Sequence, residues 1–344
     1  MPSPALRGPA IALGLAFPAA AAFAAAGMPA GALLGATAAV AAAALSGLGP
    51  VVPDFLRNLA FAIIGVSLGA GISSDILDDI ARWPVSLLGL ALTILLTMAA
   101  TGRLLTRGFG VAPDTAALSA SPGALSYAVA LAAQGRGDLR AVVALQSVRL
   151  LLVTLCLPPA IAALAGAAPP GPLAAGGAEA LGPSPALALM LAGVACGWLL
   201  DRAGAPAAYL LAGLAVSGLA HALGWVHGAL PGPAIFCGFV VTGAVIGARF
   251  TRIARPDLMR LAAAGIAATG VSAAISAAGA LCVAAATGLS FPVVWVAFAP
   301  GGVEGMAAIG LALGYDPAFV ATHHIFRIVA VIALLPLALR AAGR

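Results

Sequence analysis

Two stretches of this chain carry the residues able to hold or move a charged solute. The first has Ser119, Ser121, Pro122, Gly123, Ser126 and Tyr127, followed by Gln146 and Arg149. The second has Pro300, Gly301, Gly302 and Glu304, followed by His323, His324 and Arg327. They are copies of one another. Pro122 and Pro300, Gly123 and Gly301, Asp138 and Asp316, Val142 and Val320, and Arg149 and Arg327 all lie 178 positions apart, the difference between 300 and 122. A Pro-Gly pair breaks a helix, because proline removes a backbone donor and glycine permits a tight turn. The polar groups freed there must face protein or water rather than lipid. An arginine can grip a carboxylate or phosphate through parallel N–H groups. All of these residues are therefore candidates for contact with a solute.

Two of them carry titratable chemistry suited to ion coupling. Glu304, which aligns with Ser126, is the one carboxylate deep in a predicted membrane segment. His324 aligns with Gln146 and lies three residues before Arg327, so that the two share a helix face. A carboxylate there suits a proton or cation, and a histidine titrates near neutral pH. The structural alternatives are an ion pair for Glu304, snorkelling for the two arginines, and a neutral hydrogen-bonded role for His324.

The elements that position these residues are apolar and long. Of the 344 residues, 62% are hydrophobic and only 8% charged, which excludes a soluble domain and implies a polytopic membrane protein. All 16 basic residues are arginine, placed singly or in short loop clusters, so they encode topology and not a nucleic-acid surface. The four cysteines stand alone in apolar segments and imply no disulfide framework. No His/Asp/Glu set has ligand spacing, and no nucleotide loop or nucleophile elbow occurs, so we expect no metal, no cofactor and no enzyme activity. Arg7 and the apolar stretch after it resemble a signal peptide, but 186–201 is its counterpart in the second half, and we read it as a true first span.

Apolar runs fall at 8–26, 30–47, 55–72, 84–103 and 139–163, with a broken run at 113–134. They recur at 185–201, 206–224, 229–248, 260–286 and 317–339, with a broken run at 290–313. Residues 1–164 form the first membrane repeat, 165–184 a Gly/Pro/Ala-rich linker and 185–344 the second repeat. Two topologies compete. If each broken run crosses, six loop arginines fall inside and eight outside. If each dips in and returns, thirteen fall inside and only Arg82 outside, beside Asp75, Asp78 and Asp79. We therefore expect an all-α polytopic protein of two inverted repeats, each with five spanning helices and a re-entrant or broken helix, and with both termini cytoplasmic. The half-helices around Pro122 are about half of a ~30 Å hydrocarbon core in length.

Inverted repeats with broken helices at the midplane are a design of secondary transporters. The residues predict transport of a small, anionic solute by alternating access. A membrane-embedded sensor acting indirectly on gene expression is the alternative, and a membrane oxidoreductase a third reading. The expected partners are the bilayer and a small-molecule or ion substrate, with no nucleic acid; a homodimer follows by analogy. Runs 30–47 and 206–224 suit a scaffold, and the broken runs with 139–163 and 317–339 suit the moving part.

The chain resembles the AbrB family of bacterial inner-membrane proteins over nearly its whole length. The resemblance rests on Gly65-x-x-x-Gly69-Ala70 and Gly243-x-x-x-Gly247-Ala248, on Pro300-Gly301-Gly302-x-Glu304, on Gly314-x-Asp316-Pro317 and on His324-x-x-Arg327. The first copy departs from the pattern at Ala124, Ser126 and Gln146. The resemblance implies a duplicated membrane unit in the inner membrane. Members of the family have been labelled ammonia monooxygenase and linked to regulation of gene expression.

Overall fold

The structure is a computed structural model that describes residues 4–72, 83–123, 125–165 and 179–342. The acidic group at 75–79 with Arg82, the linker residues 166–178 and Arg344 lie outside the described residues. Among the described residues the expected runs all appear as helices, seven α-helices in each half and in the same order. The first half has α1 (Pro4–Ala25), α2 (Gly31–Leu45), α3 (Asp54–Gly69), α4 (Pro84–Arg103), α5 (Pro113–Ala120), α6 (Leu125–Ala133) and α7 (Leu139–Ala165). The second has α8 (Pro183–Arg202), α9 (Ala208–Ala222), α10 (Gly232–Ala248), α11 (Arg255–Thr287), α12 (Phe291–Phe298), α13 (Val303–Ala312) and α14 (Pro317–Ala342). Among the described residues, seven helices are long and apolar enough to cross a membrane. α2 and α9, at 15 residues each, are shorter than the runs that predicted them. Each starts after an alanine in the left-handed region, Ala30 (φ 54°) and Ala207 (φ 51°), which sets the helix start later than hydropathy alone suggests.

By compactness the chain divides into two units, each drawing on both halves. The first unit comprises residues 1–81, 158–251 and 307–320, and so contains α2 and α9. Its packing follows from the small-xxx-small spacing, which lets helix backbones approach closely. A Cβ added to Gly65 of α3 would overlap the Leu210 carbonyl oxygen of α9, and one on Gly69 would lie 2.6 Å from the Gly218 nitrogen. The second half does the reciprocal thing. A Cβ on Gly243 of α10 would sit 2.5 Å from the Leu33 oxygen of α2, and one on Gly247 2.7 Å from the Ala41 nitrogen. Each half thus lends its glycine helix to the other half's short helix.

The second unit comprises residues 82–157, 252–306 and 321–344, and contains both Pro-Gly breaks. Its polarity is that of a lipid-facing bundle. On α4, Leu88, Leu92 and Leu96 are exposed while Thr93, Thr97 and Thr101 are buried. A soluble helix would show the reverse. The protein is an all-α polytopic membrane protein. α4 and α11 run antiparallel: Thr101 Oγ1 lies 3.0 Å from Ser272 Oγ, Gly279 packs on Thr93, and Gly89 packs on Val283.

One end of this pair gathers the feet of the first broken helix. Leu105, Ala116, Ala141, Leu145 and Leu261 share a buried cluster. Thr115 Oγ1 accepts the Asp138 N–H at 2.9 Å. Gly137 (φ 91°) lies so near Thr115 that a Cβ would come 3.0 Å from its Oγ1. The chain from Thr115 to Asp138 therefore leaves and returns to one place. Arg103, Arg107, Arg136, Arg140 and Arg260 flank that end in sequence. α12 starts from the other end, where α11 finishes beside the start of α4. The two broken helices enter this unit from opposite ends.

Candidate functional site

A helix that stops inside a bundle leaves its last carbonyls without intrahelical partners, and burying them bare is costly. The chain solves this the same way twice. α5 ends at Ala120, and the side chains that meet its end come from α7. Gln146 Nε2 donates to the Leu118 carbonyl at 2.9 Å. Arg149 donates through one terminal nitrogen to Ser119 O (3.1 Å) and through the other to Ser121 O (3.0 Å) and Gln146 Oε1 (3.1 Å). Ser121 Oγ adds a bond to Leu118 O at 2.7 Å.

α12 ends at Phe298, and α14 supplies the caps. His324 Nε2 lies 3.1 Å from the Val296 carbonyl. Because a carbonyl only accepts, Nε2 carries the hydrogen there. Leu118 and Val296 are themselves 178 positions apart, so His324 makes the bond that Gln146 makes in the first copy. Arg327 donates to Ala299 O and, at 2.6 Å, to Gly301 O. The two arginines do not occupy equal registers. Arg149 binds residues 119 and 121, whereas the carbonyls equivalent to those that Arg327 binds would be 121 and 123.

The two breaks meet at Arg327. Gly123 has φ 82°, a left-handed conformation suited to glycine, and a Cβ there would lie 2.6 Å from Arg327 Nε and 2.8 Å from its Nη2. The Arg327 guanidinium is thus held by the second break and pressed against the first. The glycines of the second break meet the α7 side of the unit, Gly302 at Leu150 and Gly301 at Val153. Arg327 is 0% exposed and Arg149 5%, so neither snorkels. Among the described residues neither has a carboxylate within ion-pair distance, and the Nε of each is buried without a partner.

The remaining candidates are distributed as follows. Pro122 and Pro300 are buried at the breaks. Glu304 is half-buried in the first turn of α13 and, among the described residues, forms no ion pair. Ser126 is exposed and Tyr127 half-buried on α6, beyond the capped carbonyls. His323 caps neither break: its Nε2 lies 2.8 Å from Ser86 Oγ, and its ring packs on Trp83 and on Phe298, the last residue of α12. Sequence reasoning missed the buried hydroxyls of Thr101, Thr269 and Ser272, which lie beside Arg149. Their helical spacing, Thr93-Thr97-Thr101 on α4 and Thr269-Ser272-Ser276 on α11, was the available signal.

Fold and site together define a duplicated, helical membrane protein whose broken helices are capped by buried arginines. The chain belongs to the AbrB family: the model of that family, described as transition state regulatory protein AbrB, matches residues 9–343. No curated protein matches the chain.

Proposed function

We propose that this protein is a secondary transporter of a small anionic solute, working by alternating access, with the two Pro-Gly breaks forming its site. The observation that carries the reading is the placement of Arg327. Its guanidinium is fully buried, touches both breaks, and donates to neutral carbonyls alone. A buried cation without a counter-ion costs several kcal/mol, of the order of the effective penalty per buried ion. An anion arriving at the breaks offsets that cost. The arginines also cancel the negative C-terminal ends of α5 and α12, whereas α6 and α13 start beside the breaks with their N–H groups forward. Those starts favour negative charge.

Two further features support the reading. The broken helices enter their unit from opposite ends, as inverted repeats would, and Thr115 bonded to Asp138 suits a re-entrant hairpin. Arginines 103, 107, 136, 140 and 260 flank one end, which we take as cytoplasmic, with both termini on that side. We place the protein in the bacterial inner membrane. For coupling, Glu304 stands in the first turn of α13 without an ionic partner among the described residues.

Purified protein in detergent tests the binding half of the proposal. Small carboxylates, phosphate and sulfate are screened for thermal stabilisation. One anion class is expected to raise the midpoint, and Arg327→Gln to abolish the effect. Stabilisation by cations alone, or by none of these anions, refutes the proposal.

A further inference from the structure

One end of the second unit carries more positive charge than its own contacts use. Three candidate membrane spans, Pro84–Gly108, Leu139–Leu164 and Arg255–Thr287, have an end there. Buried contacts among Leu105, Ala141, Leu145 and Leu261 hold those three ends together. Residues 103–140 and 252–260 contain seven arginines and three aspartates, a surplus of four positive charges.

Two of the aspartates are already committed. Asp138 Oδ1 accepts the Arg140 and Ala141 N–H groups at 2.9 and 3.2 Å, and so caps α7. Its other oxygen and Asp257 share Arg260, at 3.9 and 3.6 Å. Arg103, Arg107, Arg136, Arg140 and Arg252 are exposed, and among the described residues none of the five forms an ion pair.

A second pattern accompanies the charge. At each of the three ends an arginine stands within two residues of an exposed large apolar side chain: Arg107 near Phe109, Arg140 beside Leu139, and Arg260 beside Met259, which is 81% exposed. Positive loop charge fixes orientation without needing such neighbours. A phospholipid at the edge of the bilayer answers both features. Its phosphate accepts parallel hydrogen bonds from a guanidinium, and its acyl chains cover the apolar side chains. A zwitterionic lipid brings its own cation, which the surplus of arginine repels, so net charge selects the occupant. We infer that this end is a docking surface for an anionic phospholipid, held at its phosphate by Arg107 and Arg140 with its chains against Phe109, Leu139 and Met259. The surface is separate from the breaks at Arg327, and it stands whether or not the protein transports anything.

The test mixes full-length protein in detergent with equal amounts of phosphatidylglycerol and phosphatidylcholine, matched in acyl chains, and identifies the retained lipid by native mass spectrometry. Phosphatidylglycerol is expected to predominate. One arginine near an anionic lipid surface is worth about fivefold in affinity, so Arg107→Gln combined with Arg140→Gln is expected to cut that preference about 25-fold. Arg7→Gln combined with Arg202→Gln removes the same charge from exposed positions of the first unit and is expected to leave the preference as it is. Arg103→Gln with Arg136→Gln supplies a second pair at the proposed surface should the first fail to fold. Equal retention of the two lipids leaves the surface to an acidic soluble partner and overturns the inference. An equal loss of preference in the first-unit control assigns the effect to diffuse charge and overturns it too, as does an unchanged preference in folded variants of the surface.

Discussion

Gly123→Ala probes the contact on which the site is built. Two costs follow from the geometry. Gly123 has φ 82°, and an alanine in the left-handed region costs about 1–2 kcal/mol. The new Cβ would also lie 2.6 Å from Arg327 Nε. Arg327 cannot withdraw without releasing the Ala299 or Gly301 carbonyl, and a hydrogen bond from a charged group is worth about 1.5–3 kcal/mol. Gly135 supplies the control, since it has φ 87° but nothing near its missing Cβ. Gly135→Ala should therefore bear the conformational cost alone. Chemical unfolding in detergent is expected to show Gly123→Ala less stable than Gly135→Ala by about 1.5–3 kcal/mol, the worth of the strained or lost Arg327 bond. Equal stability of the two variants would show that Gly123 does not meet Arg327 and would refute the closed arrangement of the two breaks.

Other consequences are open to measurement. His324→Gln should keep near wild-type stability, because Gln146 already makes that bond in the first copy; His324→Leu should lose about 1–3 kcal/mol in the same unfolding assay by orphaning the Val296 carbonyl. Arg149→Lys and Arg327→Lys should each be destabilised in a thermal melt, since an ammonium cannot span two separated carbonyls as a planar fork does. Thr115→Val should free the Asp138 N–H, costing about 1 kcal/mol and raising hydrogen exchange near residue 138. Gly65→Ala and Gly243→Ala should each cost about 1–3 kcal/mol from overpacking, read as a fall in melting temperature of the purified protein.

Much of this arrangement is legible in the sequence because lipid imposes strict rules on it. Apolar runs longer than a soluble core needs become helices, so the boundaries of α4, α7 and α11 follow from hydropathy within a few residues. The breaks at Pro122 and Pro300 follow from backbone chemistry and their duplication from spacing. What was not legible depends on which side chain meets which carbonyl. Arg149 and Arg327 align, yet they cap registers that differ by two residues, and nothing in the alignment of the copies signals that shift. The two histidines are adjacent in sequence and bond to different partners, His324 to the Val296 carbonyl of α12 and His323 to the Ser86 hydroxyl of α4. The hydroxyls beside Arg149 escaped notice because serine and threonine in membrane helices usually bond back to their own helix, as Thr269 and Ser272 do here.

Flux through reconstituted protein tests the central claim most directly. Proteoliposomes holding the full-length chain are given a panel of labelled small anions across imposed proton, sodium and potential gradients. The account predicts saturable movement of one anion class, driven by a gradient, and its loss in Arg327→Gln. Flux no greater than in empty vesicles for every anion and gradient, or saturable movement of a cation that survives Arg327→Gln, would contradict it.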